Sequence, residues 1–176
     1  MNLGAIMKLK PFFATIILMI CFGFAIPSNA KEVYTNSISA NPLGLAFGIL
    51  NATYETQLSV QNSLTISGYY YSWAVDWAAY GIGGSYRWYI VKEQGKRIIE
   101  GFSFGPMAAF SFWSWRGTGT ADGGSTLSIG IEGAYKWVFG GFVVEPILTI
   151  SFPVSRFSGA PTYQSYGLGV NLGYAW

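Results

Sequence analysis

Histidine is absent from the 176 residues, and cysteine occurs once, at Cys21. The first absence removes the usual proton-transfer base near neutral pH. Together they leave no imidazole and, past residue 21, no thiolate, so zinc-type sites and disulfides are excluded from the rest of the chain. The carboxylates are scattered, and no Gly-x-Gly-x-x-Gly opens a helix after a strand, so neither a metal nor a cofactor is expected and no enzyme is indicated. Charge is also scarce. Only 10% of residues are Asp, Glu, Lys or Arg, against roughly 25–35% on a soluble surface. The small net charge of +2 offers no basic patch for nucleic acid. No run after Ala30 reaches the ~18 apolar residues of a spanning helix. Yet 51% of the chain is hydrophobic and 18% aromatic. A greasy chain with neither a water-suited surface nor a spanning helix can still cross lipid as a closed barrel, which pairs every backbone group internally.

The amino terminus reads as an export signal. Lys8 and Lys10 precede an apolar stretch, Phe12 to Ala25, and Ser28-Asn29-Ala30 offers small residues for cleavage. Residues 1–30 are therefore expected to be a signal peptide and 31–176 the working domain. Cys21 would leave with the signal. Ile20 before it departs from a lipoprotein cleavage site, which needs a small residue there. Eight basic and eight acidic residues remain in balance.

Period-two alternation dominates residues 31–176. Tyr166, Leu168, Val170, Leu172, Tyr174 and Trp176 alternate with Ser165, Gly167, Gly169, Asn171, Gly173 and Ala175. Eight strands are predicted: Thr35–Phe47, Asn51–Leu58, Leu64–Trp73, Tyr80–Ile90, Gly101–Trp115, Thr126–Val138, Phe142–Phe152 and Gln164–Trp176. The fold class is thus all-β, an eight-stranded antiparallel up-and-down transmembrane barrel. An even strand number puts both termini on one side, the periplasmic one. Short turns at Val60–Ser63 and Phe139–Gly141, with longer connections at Arg116–Ser125 and Pro153–Tyr163, fit that arrangement. One irregularity stands out. The alternation changes phase at Asn41-Pro42-Leu43-Gly44, where a bulge is expected near Pro42. The alternative is a break, with Gly44–Leu58 as one longer strand.

Five charges fall inside the predicted strands: Glu55, Arg87, Glu132, Lys136 and Glu145. All lie on the phase of small and polar residues. That phase is expected to line the lumen, and the bulky phase to meet lipid. Tyr69, Tyr71, Trp113 and Trp115 share the inner phase. Eight strands enclose a space that side chains can fill, so a salt-bridged plug is expected. Tyr86, Trp88, Tyr135, Trp137, Tyr174 and Trp176 at one rim, with Tyr70 and Phe112 nearer the other, suggest aromatic girdles.

Leu172, Tyr174 and the terminal Trp176 resemble the C-terminal assembly signal of bacterial outer-membrane barrels. The chain after Ala30 resembles the small OmpA/OmpX type. Asn41-Pro42-Leu43-Gly44-Leu45-Ala46-Phe47-Gly48, followed by Asn51, Tyr54 and Glu55, is similar to the first hairpin of a poorly characterised family of such barrels. These resemblances imply the bacterial outer membrane, with its lipid and the barrel-assembly machinery as partners. They carry over no catalytic residue, and the known barrel enzymes of that membrane resemble one another in using a histidine. A monomer is expected, with a structural or surface-interaction role. Its outer connections would present Asp76, Arg116, Asp122 and Arg156 to an extracellular ligand. Two other readings stay open. One is a narrow pore or lipid-acting barrel, with Asp76 near Ser72, Trp73 and Trp77. The other is a soluble periplasmic lipocalin-like barrel, which also alternates.

Overall fold

The computed structural model describes residues 33–72, 77–91, 99–115, 123–155 and 165–176. The elements run β1 (Asn36–Ala40), α1 (Pro42–Ala46), β2 (Ile49–Gln57), β3 (Asn62–Tyr71), β4 (Trp77–Val91), β5 (Gly101–Trp115), β6 (Gly124–Phe139), β7 (Phe142–Ser155) and β8 (Ser165–Ala175). Each strand pairs antiparallel with the next, and β8 returns to β1, closing the barrel. The proposed signal segment lies outside the described residues.

Strand β6 shows why the chain folds this way. Leu127, Ile129, Ile131, Tyr135 and Trp137 project outward and exposed, while Thr126, Glu132, Ala134 and Lys136 are buried. Directly paired residues share a face of the sheet. The row Ser37, Glu55, Thr65, Ser85 therefore runs across four strands on the inner side. Outside, Ile82 is 67% and Leu168 86% accessible. Such a wall is unfit for water and suits hydrocarbon.

The first strand is shorter than the alternation implies. β1 stops at Ala40, and Pro42–Ala46 winds into a helical turn, so neither a bulge near Pro42 nor one long strand from Gly44 forms. The cause is local. Pro42 sits at the first helical turn, where its missing N–H and preset φ cost nothing. Asn41 caps the turn, its Oδ1 accepting from Gly44 N at 3.1 Å. The Asn41 N–H, freed from the ladder, donates to Asn51 Oδ1 at 2.8 Å. Gly44 is buried against β2; a Cβ there would lie 2.9 Å from the Ile49 carbonyl oxygen. The strand count stays at eight.

The β6–β7 hairpin turns on Gly140 (φ 58°) and Gly141 (φ 90°), between the paired Phe139 and Phe142. Two left-handed residues in sequence are what a tight twisted hairpin needs. A side chain on Gly141 would also meet the Tyr174 ring. Gly141→Val is expected to destabilise the barrel by about 1–3 kcal/mol. Urea unfolding of vesicle-refolded protein checks this; an unchanged midpoint would show that the turn tolerates a branched side chain.

Candidate functional site

Strands on opposite walls bring the five inner charges together. Glu55 comes from β2, Arg87 from β4, Glu132 and Lys136 from β6 and Glu145 from β7. Arg87 lies at the centre and is 1% accessible. Its Nη1 donates to Glu55 Oε2 at 2.8 Å and to Glu145 Oε1 at 2.7 Å, and its Nε to Glu132 Oε1 at 2.5 Å. Lys136 Nζ pairs with Glu55 and lies 3.4 Å from Glu145 Oε1. The planar guanidinium presents donors in several directions at once, which suits it to joining three carboxylates.

Three acids against two bases leave carboxylate oxygens to satisfy, and neutral donors do so. Ser63 Oγ donates to Glu55 at 2.5 Å, and the Tyr89 hydroxyl does so at 2.7 Å. Asn171 Nδ2 donates to Glu145 at 3.0 Å, and Ser85 Oγ bonds Glu132. Lys136 also donates to Ser37 Oγ at 3.1 Å. Hydrogen bonds to ionised groups are roughly twice as strong as neutral ones. Among the described residues, every strand except β5 contributes a side chain to this network.

Two prolines frame the cluster. Pro106 and Pro146 lie in mid-strand, where a missing N–H interrupts the ladder. Pairing of β4 with β5 passes from Ser85↔Met107 to Trp88↔Phe104, skipping Gly105 and Pro106. Pairing of β6 with β7 passes from Ala134↔Ile147 to Trp137↔Val144, skipping Glu145 and Pro146. The Lys136–Glu145 pair spans that second gap. At the first, Gly105 packs its bare Cα against the Tyr86 carbonyl, a place closed to any Cβ.

On the side of the termini, Tyr34, Tyr89, Ile99, Val143 and Ala175 form a small apolar layer across the barrel end. On the other side Tyr69 bonds Ser111, and the Tyr71 and Trp113 rings meet edge-on at 6.1 Å. Trp115 ends β5, but its side chain lies outside the described residues. The outer wall carries the aromatic rows: Tyr86, Trp88 and Phe104 in contact, Tyr135 on Trp137, and Tyr174 with Trp176.

Asp76, Arg116, Asp122 and Arg156 lie outside the described residues. Sequence reasoning missed Ser37, Ser63, Ser85, Tyr89 and Asn171 as cluster partners. A signal existed: each stands on the inner phase, and Tyr89 breaks the run of small residues there only two positions from Arg87.

No protein-family profile matches the sequence, and no curated protein matches it. The solved structures that share the fold include two from other bacteria. Ail of Yersinia pestis, in a phospholipid bilayer nanodisc, superposes with a TM-score of 0.50 at 12% identity, over 81% of this chain and 99% of that one. The N-terminal β-barrel domain of Pseudomonas aeruginosa OprF gives 0.50 at 13% identity, over 82% and 98%. Ail is an outer membrane protein and the OprF domain is a β-barrel. A closed eight-stranded barrel, apolar outside and ionic within, is built for the bacterial outer membrane, and this chain is such a barrel.

Proposed function

We propose that the protein is a non-conducting outer-membrane barrel, a structural element that presents its outer connections at the cell surface. The Arg87-centred cluster carries this reading. Its ion pairs and hydrogen bonds tie opposite walls together through the middle of the lumen, and its carboxylates are buried. An aqueous path would have to pass between groups already in hydrogen-bond contact. The buried apolar layer around Ile99, toward the end of the barrel near the termini, supports the same reading. No catalytic role is assigned. Asp76, Arg116, Asp122 and Arg156 remain the candidates for contact with an extracellular ligand, and the barrel is proposed to act as a monomer.

Single-channel recording in a planar bilayer tests the reading. No steady conductance above the lipid background is expected from the folded protein. Reproducible steps of constant size would overturn it and favour the narrow pore.

A further inference from the structure

We infer that the barrel wall holds a binding site for one hydrocarbon chain of a bilayer phospholipid, at the cleft left where β1 ends. Strands β1 and β8 pair over only four residue pairs, from Ser37↔Ala175 to Ala40↔Leu172. Asn36 and Trp176 exchange both backbone bonds. The two-residue repeat of an antiparallel ladder then makes Ile38–Tyr174 and Ala40–Leu172 bonded pairs as well. Next along β8, Val170 and Leu168 turn their N–H and C=O groups toward the place where β1 would have continued. Instead α1 stands there, and among the described residues no backbone group pairs with them on that side. Leu168 is the most exposed of the large apolar side chains described.

Beside the end of β1 lies a cleft of about 420 Å³, lined chiefly by Ile38, Ala40, Pro42, Leu45, Leu50 and Leu172, with Val170 and Leu168 outside its lining. Three observations choose its occupant. The lining from Ile38, Ala40, Leu50 and Leu172 belongs to the outward phase, so the cleft is continuous with the hydrocarbon-facing wall. Among the described residues no Asp, Glu, Lys or Arg lines it, so nothing is placed to hold a phosphate or an acidic peptide. Its volume is near the lower end for small-molecule sites, which suits one chain and not a whole lipid. Asn41, held by Asn51 and Gly44, fixes the back of the cleft, so the site is preformed.

Native mass spectrometry of the detergent-purified barrel with added palmitoyl-oleoyl phosphatidylglycerol tests the inference. The wild type is expected to keep one lipid per barrel. Ala52→Trp, which fills the cleft from β2, is expected to lose it. Ala108→Trp, the same change on the outward phase of β5, is expected to keep it. Leu45→Asn lies on α1, outside every strand; it weakens retention about tenfold by removing apolar lining, and it serves if Ala52→Trp fails to give a β-sheet circular dichroism spectrum. Equal retention in wild type, Ala52→Trp and Leu45→Asn would overturn the site, as would no retained lipid in the wild type. A co-purifying polypeptide displaced by Ala52→Trp would overturn it in favour of a protein strand on the β8 edge. None of these outcomes depends on whether the lumen conducts.

Discussion

Replacing Arg87 by Met lowers the unfolding free energy of the barrel by about 3–5 kcal/mol, the usual consequence of removing one partner from a buried ionic group. Methionine keeps much of the volume and takes away the charge. Among the described residues Glu132 is then left with Ser85 alone, since Lys136 reaches Glu55 and Glu145 but not Glu132. Glu55 and Glu145 must share one cation where they had two. Urea titration of vesicle-refolded protein, followed by tryptophan fluorescence, gives the value. Adding Glu132→Gln to Arg87→Met removes the stranded carboxylate, so the double substitution costs less than the sum of the two singles. A loss below about 1 kcal/mol for Arg87→Met, with additive doubles, would mean that the carboxylates find water, and the lumen would not be sealed.

The size of that effect does not make the cluster a source of net stability. A buried ion network replaced whole by apolar residues of like volume is often neutral or better. What the cluster adds is constraint. Arg87 can meet Glu55, Glu132 and Glu145 together only when β2, β4, β6 and β7 stand in one register. A slip of one residue would turn each of these charges toward hydrocarbon. The two proline gaps fall beside Arg87 and Lys136, where the ladder itself holds the register least firmly. Side-chain bonds thus act where backbone bonds are missing.

This division explains how much was legible in the residues. Alternation is a property of one strand at a time, so Leu127 to Trp137 and Tyr166 to Trp176 disclose their two faces without any partner. The shared phase of Glu55, Arg87, Glu132, Lys136 and Glu145 discloses which face is inside. Who meets whom is different. Glu55 and Lys136 are 81 positions apart, and barrel tilt and register decide their contact. Serine, tyrosine and asparagine donors carry no mark that separates a carboxylate partner from an ordinary inner-wall residue. The α1 turn was legible in part. Asn-Pro-x-Gly holds a cap, a helix-starting proline and a glycine, but an alternating context argues for a strand. The tertiary reason for helix, Gly44 seated on the Ile49 carbonyl, is invisible without β2 in place.

Deleting Trp176 is expected to cost about 2–4 kcal/mol, more than Trp176→Ala, and the excess comes from the backbone. Trp176 O accepts from Thr35 N and Asn36 N, both at 3.0 Å, and its N–H donates to Asn36 O at 3.0 Å. Each such bond contributes about 0.5–1.5 kcal/mol. Trp176→Ala keeps all three and removes only the ring contacts, with Tyr54 at 6.3 Å and Tyr174 at 6.5 Å between centroids. The loss falls on the β1–β8 seam, which closes the barrel over four residue pairs, as few as any strand pairing in it. Urea midpoints of the two variants, refolded side by side in vesicles, decide the matter. If the truncation and Trp176→Ala lose the same stability, the ring alone holds the seam and the backbone argument is wrong.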